Sequence, residues 1–132
     1  MVFSSSFAQK TTYNLDIEIK GLKNTNGQLM ISLSKGKEGF PHNNYYKQFY
    51  FTDFTSPDFN LTIKDIPNGN YAVSMLHDED SNGKMTRNLI RIPKEGFAFS
   101  RNYKVILRAP KYKEANFDID TIKKPIVIKL QY

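Results

Sequence analysis

The sequence predicts an all-β domain, an antiparallel β-sandwich of about seven strands. Three observations carry that reading. Apolar and polar residues alternate in short runs, the period of a half-buried strand. Clusters of Gly, Pro, Asn and Asp separate these runs, and no stretch has the periodicity of an amphipathic helix. The ring content, 10 Phe and 8 Tyr, favours pleated surfaces. A small β-barrel is the alternative architecture for the same pattern.

In chain order, Tyr13 to Lys20 is the first strand, with Tyr13, Leu15, Ile17 and Ile19 on one face. Asn26-Gly27 is the strongest signal in the turn that follows. Gln28 to Ser34 alternates again through Leu29, Ile31 and Leu33, which predicts the second arm of an antiparallel hairpin. Gly36, Gly39 and Pro41 then break regular structure. Lys35 to Ser56 reads as a long loop with a short helical turn, followed by a strand near Gln48 to Thr52.

Asn60 to Ile66 is the next strand, and Asp65-Ile66-Pro67-Asn68-Gly69 is its turn. Asn70 to His77 places Tyr71, Val73, Met75 and His77 on one face. The small residues on its other face imply a close neighbour. Ile92 to Ser100 reads as an irregular segment held by Pro93 and Gly96. Tyr103, Val105 and Leu107 mark a sixth strand, Tyr112 to Ile119 a seventh, and Ile126 to Tyr132 the last.

Length and composition bound the function. A chain of 132 residues with 39% apolar content supports one domain with one core, over residues 11–132. The absence of Cys removes disulfides, thiol catalysis, Cys-bound zinc and Fe–S clusters. The net charge of +6 is spread without a basic run, as on a solvated surface, and no nucleic-acid-binding motif accompanies it. No apolar run reaches the ~20 residues of a membrane helix. Residues 1–10 read as the remnant of a secretion signal, with Ser6 and Ala8 flanking Phe7 as a signal peptidase requires, or as a disordered tail.

One loop could carry chemistry. Asp78-x-Asp80-x-Asn82-Gly83 matches the front half of a calcium loop. Calcium takes about six to eight oxygen ligands, and alternate side chains in a tight turn can converge on it. Lys84, in the seventh position, would offer only its carbonyl, and Thr86 occupies the ninth. The twelfth position is Leu89 rather than Glu, so Glu79 or Glu95 would have to complete the shell. The same residues also make an ordinary turn in which Asx side chains bond the backbone.

His77 borders the loop. It reads as a hydrogen-bonded histidine at the end of the core, with two further readings beside it. One is a zinc ligand with Asp78 and His42; the other is an acid–base group with Asp78 or Glu95. Nothing marks a nucleophile or an oxyanion hole, so no enzyme is expected. The aromatics from Phe40 to Phe54 either close one end of the core or, through Tyr45 and Tyr46, form a platform for a glycan or peptide.

A string of blocks adds a resemblance. These are Gly69-Asn-Tyr71-Ala-Val73, His77-Asp-Glu79, Asn82-Gly-Lys84, Ile92-Pro-x-Glu95-Gly96-Phe97 and Phe99-Ser100. Pro110-x-Tyr112-x-Glu114-Ala-x-Phe117 and the closing strand to Tyr132 continue it. From Leu15 onward the chain resembles a family of small exported bacterial proteins, the domain of unknown function 2141. It departs from that pattern at Arg91 and Ala98, where the family has Gly, and at Thr86, where Asp is common. Asp80-Ser81 replaces a common Asn-Gly and adds a charge.

The resemblance implies export and a sandwich of transthyretin/carboxypeptidase-regulatory-like (immunoglobulin-like) type, and brings no activity. The expectation is therefore a secreted or periplasmic, monomeric, non-catalytic binding module. Its calcium site would use Asp78, Asp80, Asn82, Thr86 and Glu95. The alternative is a metal-free module that meets a protein or glycan through residues 40–54.

Overall fold

Alternation of Leu29, Ile31 and Leu33 along β2 (Gln28–Ser34) and of Tyr71, Val73 and Met75 along β5 (Gly69–Asp78) builds the inner face of one sheet. Leu15, Ile17 and Ile19 on β1 (Thr12–Lys20) do the same for a second sheet. The two inner faces bury one continuous apolar cluster, the main favourable term for the fold. These features come from a computed structural model that describes residues 12–79, 96–105, 108–119 and 125–132.

The remaining elements are β3 (Lys47–Phe51), β4 (Phe59–Pro67), β6 (Gly96–Phe99), helix α1 (Tyr112–Ala115), β7 (Phe117–Ile119) and β8 (Ile126–Lys129). The three-stranded sheet has the order β4-β1-β8, with β1 antiparallel to β4 and parallel to β8. The five-stranded sheet has the order β3-β2-β5-β6, and β7 also pairs with β5. Beyond β8 the chain exchanges two backbone hydrogen bonds with β6, Phe97 with Gln131, which joins the sheets along one side. Among the described residues no helix is long and apolar enough to cross a membrane.

The predicted hairpin of the first two strands does not form. β1 and β2 lie in different sheets, and residues 21–27 cross the end of the sandwich. Leu22 is buried, and its N–H is held by the Pro57 carbonyl at 3.1 Å, so the turn residues serve a crossing and not a tight reversal. The predicted turn at 65–69 is shorter than expected. β4 continues to Pro67 because an extra residue near Asp65, whose φ is 60°, forms a bulge opposite Asn14. The bulge brings Ile66 onto the core face together with Ile63.

Within the segment Ile92 to Ser100, which the sequence predicts as irregular, Gly96–Phe99 is a strand, and residues 92–95 lie outside the described residues. Ala98 packs in the core opposite Met75, while Phe97 and Phe99 lie on the other face of the sheet, where both are also buried. Gly and Ala hide such a strand because both are poor β-formers on their own. The sixth strand predicted at 103–107 is absent over Tyr103–Val105. The amide of Gln131 takes its place as partner, accepting from the Val105 N–H and donating to the Tyr103 carbonyl. Tyr112 to Ile119 divides into α1 and β7. The Glu114 carboxylate accepts the Lys111 N–H and pairs with Arg108. These bonds fix the helical turn, and the Arg108 bond, with the Lys111 N–H behind it, lowers the Glu114 pKa to about 2.

Ser100 fills the gap between β6 and β7 along the edge of β5. It is buried, its oxygen accepts the Val73 N–H at 2.9 Å, and it donates to the Ala115 carbonyl at 2.5 Å. Ser100→Ala would leave both backbone groups unpaired in a dry place. The expected loss is about 2 kcal/mol of unfolding free energy, read from urea denaturation.

Candidate functional site

The predicted loop residues leave the sandwich at one end. There β5 ends with His77 and Asp78, and the crossing 21–27 packs against them. Gly27 (φ 69°) lies so close to the Asp78 and Glu79 carbonyls that no β-carbon would fit. A positive φ with no room for a side chain makes glycine obligatory here.

His77 is fully buried. Its Nε2 lies 2.7 Å from the Asn26 carbonyl and its Nδ1 lies 2.7 Å from the Tyr132 hydroxyl. A carbonyl only accepts, so Nε2 carries the proton and Nδ1 accepts from Tyr132. The Tyr132 oxygen in turn accepts the Lys23 N–H at 2.8 Å. Burial raises the Tyr132 pKa, the Lys23 bond opposes this, and the nearby Glu79 raises it further. Phe54 packs edge-on against the imidazole. Gly96 pairs with His77, and a β-carbon there would overlap the Tyr132 ring.

His77 and Asp78 do not form an acid–base pair. As neighbours in a strand they point to opposite faces, and Asp78 faces Gln28, whose Nε2 donates to its Oδ2 at 2.8 Å. Asp78 is wholly buried, and the Glu79 carboxylate accepts from Asn24 Nδ2 at 2.9 Å. The zinc reading fails as well. His42 is exposed in the β2–β3 loop, at the far end of β2, whereas His77 pairs with Leu29 at its start. Among the described residues no group of three His, Cys, Asp or Glu side chains could hold a metal ion. Asp80, Asn82, Thr86 and Glu95 lie outside the described residues, as do Lys84 and Leu89.

The first part of the aromatic segment, through Tyr46, lies at the opposite end, while Phe54 reaches the His77 end. Tyr45 is half-buried, and its hydroxyl donates to the Pro41 carbonyl at 2.9 Å. Burial raises its pKa, against a lowering hydrogen bond with Ser32. Phe40 packs edge-on against Phe99 and Tyr112, so this part of the segment covers the outer face of the five-stranded sheet. Tyr46 differs: it is 39% exposed and leans on Tyr71, which is buried and donates to the Pro67 carbonyl. Lys35 Nζ stands 5.3 Å and Lys47 Nζ 5.8 Å from the centre of the Tyr46 ring.

Sequence reading missed Tyr132, Asn24 and Gln28 as partners of residues 77–79, and Lys23 as the partner of Tyr132. It also missed the two lysines at Tyr46. The pairs at the His77 end are separated by 50 to 109 positions, and no local spacing signals them.

The corner makes a sharp expectation. Gly96→Ala forces the Tyr132 ring away from His77, at a cost of about 1–3 kcal/mol. In a Tyr132→Ala background the same change is expected to cost at least about 1 kcal/mol less. Urea denaturation of the four proteins in the cycle measures this, and strict additivity would show that the ring and Gly96 are independent.

Searches of curated proteins and of solved structures found no match to this chain. A family model does match it over residues 17–126, that of the "uncharacterized protein conserved in bacteria (DUF2141)". The match spans His77, the calcium-like loop, Gly96 and the aromatic segment. The chain therefore belongs to the DUF2141 family of bacterial proteins.

Proposed function

We propose that this chain is a non-catalytic binding module of an exported protein, and that it meets its ligand through the aromatic end of the sandwich. The observation that carries the reading is Tyr46. It is a large ring left 39% exposed at the rim of the core, while its neighbours Phe40 and Tyr45 are folded down. Exposed tyrosines mark recognition surfaces because a rigid ring offers contact area and a polar tip together. The commitment of both nitrogens of the buried His77 to hydrogen bonds supports the non-catalytic part, since neither is left open to a ligand. Export rests on the Ser6-Phe7-Ala8 pattern.

A glycan and peptide array tests the reading. Wild-type protein is expected to retain specific spots that Tyr46→Ala loses at least about tenfold, with the melting midpoint shifted by no more than a few degrees. Retention unaffected by Tyr46→Ala would exclude this end as the ligand surface.

A second reading keeps calcium at 78–86. Its support is Asp78, the first ligand position, which is buried at the exit of β5 and steadied by Gln28. A loop that starts from a fixed carboxylate loses less entropy on closing around a cation. Millimolar calcium is expected to raise the melting midpoint relative to chelator, and Asp80→Asn to remove most of the rise. Identical midpoints in calcium and chelator would end this reading.

A further inference from the structure

We propose that the ligand of the Tyr46 surface is an acidic saccharide, whose carboxylate or sulfate groups pair with Lys35 and Lys47. This inference rests on the reading of the aromatic end as the ligand surface and adds the charge of the ligand.

Lys35 and Lys47 come from opposite sides of the β2–β3 loop. Lys35 follows the last residue of β2, and Lys47 opens β3 opposite Leu33. Both side chains are exposed. Both ammonium groups stand within 6 Å of the centre of one ring, and Lys35 is also 5.9 Å from the centre of Tyr71. The electron-rich ring faces attract the ammonium groups and so hold two like charges around one ring. Among the described residues the only ion pair is Arg108–Glu114, so no carboxylate there neutralises either lysine. The Tyr46 hydroxyl has no hydrogen-bond partner among the described residues either, which leaves a third donor beside the two cations.

The chemistry selects the ligand. Two uncompensated ammonium groups around one ring, with a free phenol, complement an oxyanion that carries further hydroxyl acceptors. A nucleic acid would need open ring faces on which its bases stack, and here ammonium groups stand over the ring. A peptide would need apolar surface for its side chains. The exposed large apolar side chains among the described residues are Tyr46, Tyr50, Val127 and Tyr132, and two of these are elsewhere in the fold, on β8 and at the His77 corner. An acidic sugar satisfies both limits, with its anionic groups on the lysines and its hydroxyls on the phenol.

The test titrates the full chain with four probes of similar length. These are an oligogalacturonate, a sulfated glycosaminoglycan fragment, neutral cello-oligosaccharide and single-stranded DNA. Calorimetry measures affinity at low and at physiological salt, and amide chemical shifts locate the contact. The expected result is binding of the acidic saccharides with shifts centred on residues 35 and 46–47. Affinity should fall severalfold with salt, because exposed charges are screened.

Lys35→Gln with Lys47→Gln should weaken that binding at least about tenfold. Lys20→Gln with Lys129→Gln removes the same charge at exposed positions on neighbouring strands and should leave it nearly unchanged. Melting midpoints confirm that each variant is folded. Equal weakening by both pairs would overturn the proposal, since overall charge would then suffice. So would tighter binding of the DNA. Binding of the neutral saccharide alone, lost in Tyr46→Ala, would overturn the acidic ligand while leaving the surface assignment standing. Shifts confined to other parts of the chain would overturn both.

Discussion

The imidazole of His77 stands where four distant parts of the chain must meet, and it can satisfy them in only one arrangement. One nitrogen holds the Asn26 carbonyl and the other the Tyr132 hydroxyl, with the ring fully buried. Left unpaired in such a place, either nitrogen would cost the desolvation of a polar group. The crossing from β1, the end of β5, the start of β6 and the end of the chain are therefore fixed relative to one another. Gly96 belongs to this constraint, because only a residue without a β-carbon leaves room for the Tyr132 ring. The segment between Glu79 and Gly96 thus begins and ends on a rigid platform, whatever chemistry it carries.

The rest of the sandwich repeats the principle with other groups. Side chains complete ladders that the backbone leaves unfinished. Ser100 closes the edge of β5 between β6 and β7. The Asn102 amide pairs with Val127 and Lys129 along the outer edge of β8, and that of Gln131 pairs with the 103–105 backbone. Each device satisfies buried or edge backbone groups where a further strand would otherwise be required.

The two ends of the sandwich have different characters. At the His77 end, polar groups are paired with one another: Asp78 with Gln28, Glu79 with Asn24, and His77 with Tyr132, whose ring is itself partly exposed. At the other end, Tyr46 and its two lysines are exposed and carry no opposing charge among the described residues. A surface with unspent hydrogen-bond donors and positive charge is suited to recognition, and a fully paired corner to holding shape. This contrast supports the proposal of a ligand surface at the β2–β3 loop.

The sequence by itself determined the strand content and most of the strands. Period-two alternation is a local property that burial of one face enforces, so Tyr13–Lys20, Gln28–Ser34, Asn60–Ile66 and Asn70–His77 could be read directly. The ordered blocks from Gly69 to Tyr132 also identified the family. Only the tertiary structure decided which strands are neighbours. Asn26-Gly27 suits a hairpin as well as a crossing, and burial of Leu22 chose the crossing. It also decided which polar residues do what. His77 is a clamp because folding brings it Tyr132 from 55 positions away, and Tyr46 receives the Lys35 ammonium from the other side of the β2–β3 loop.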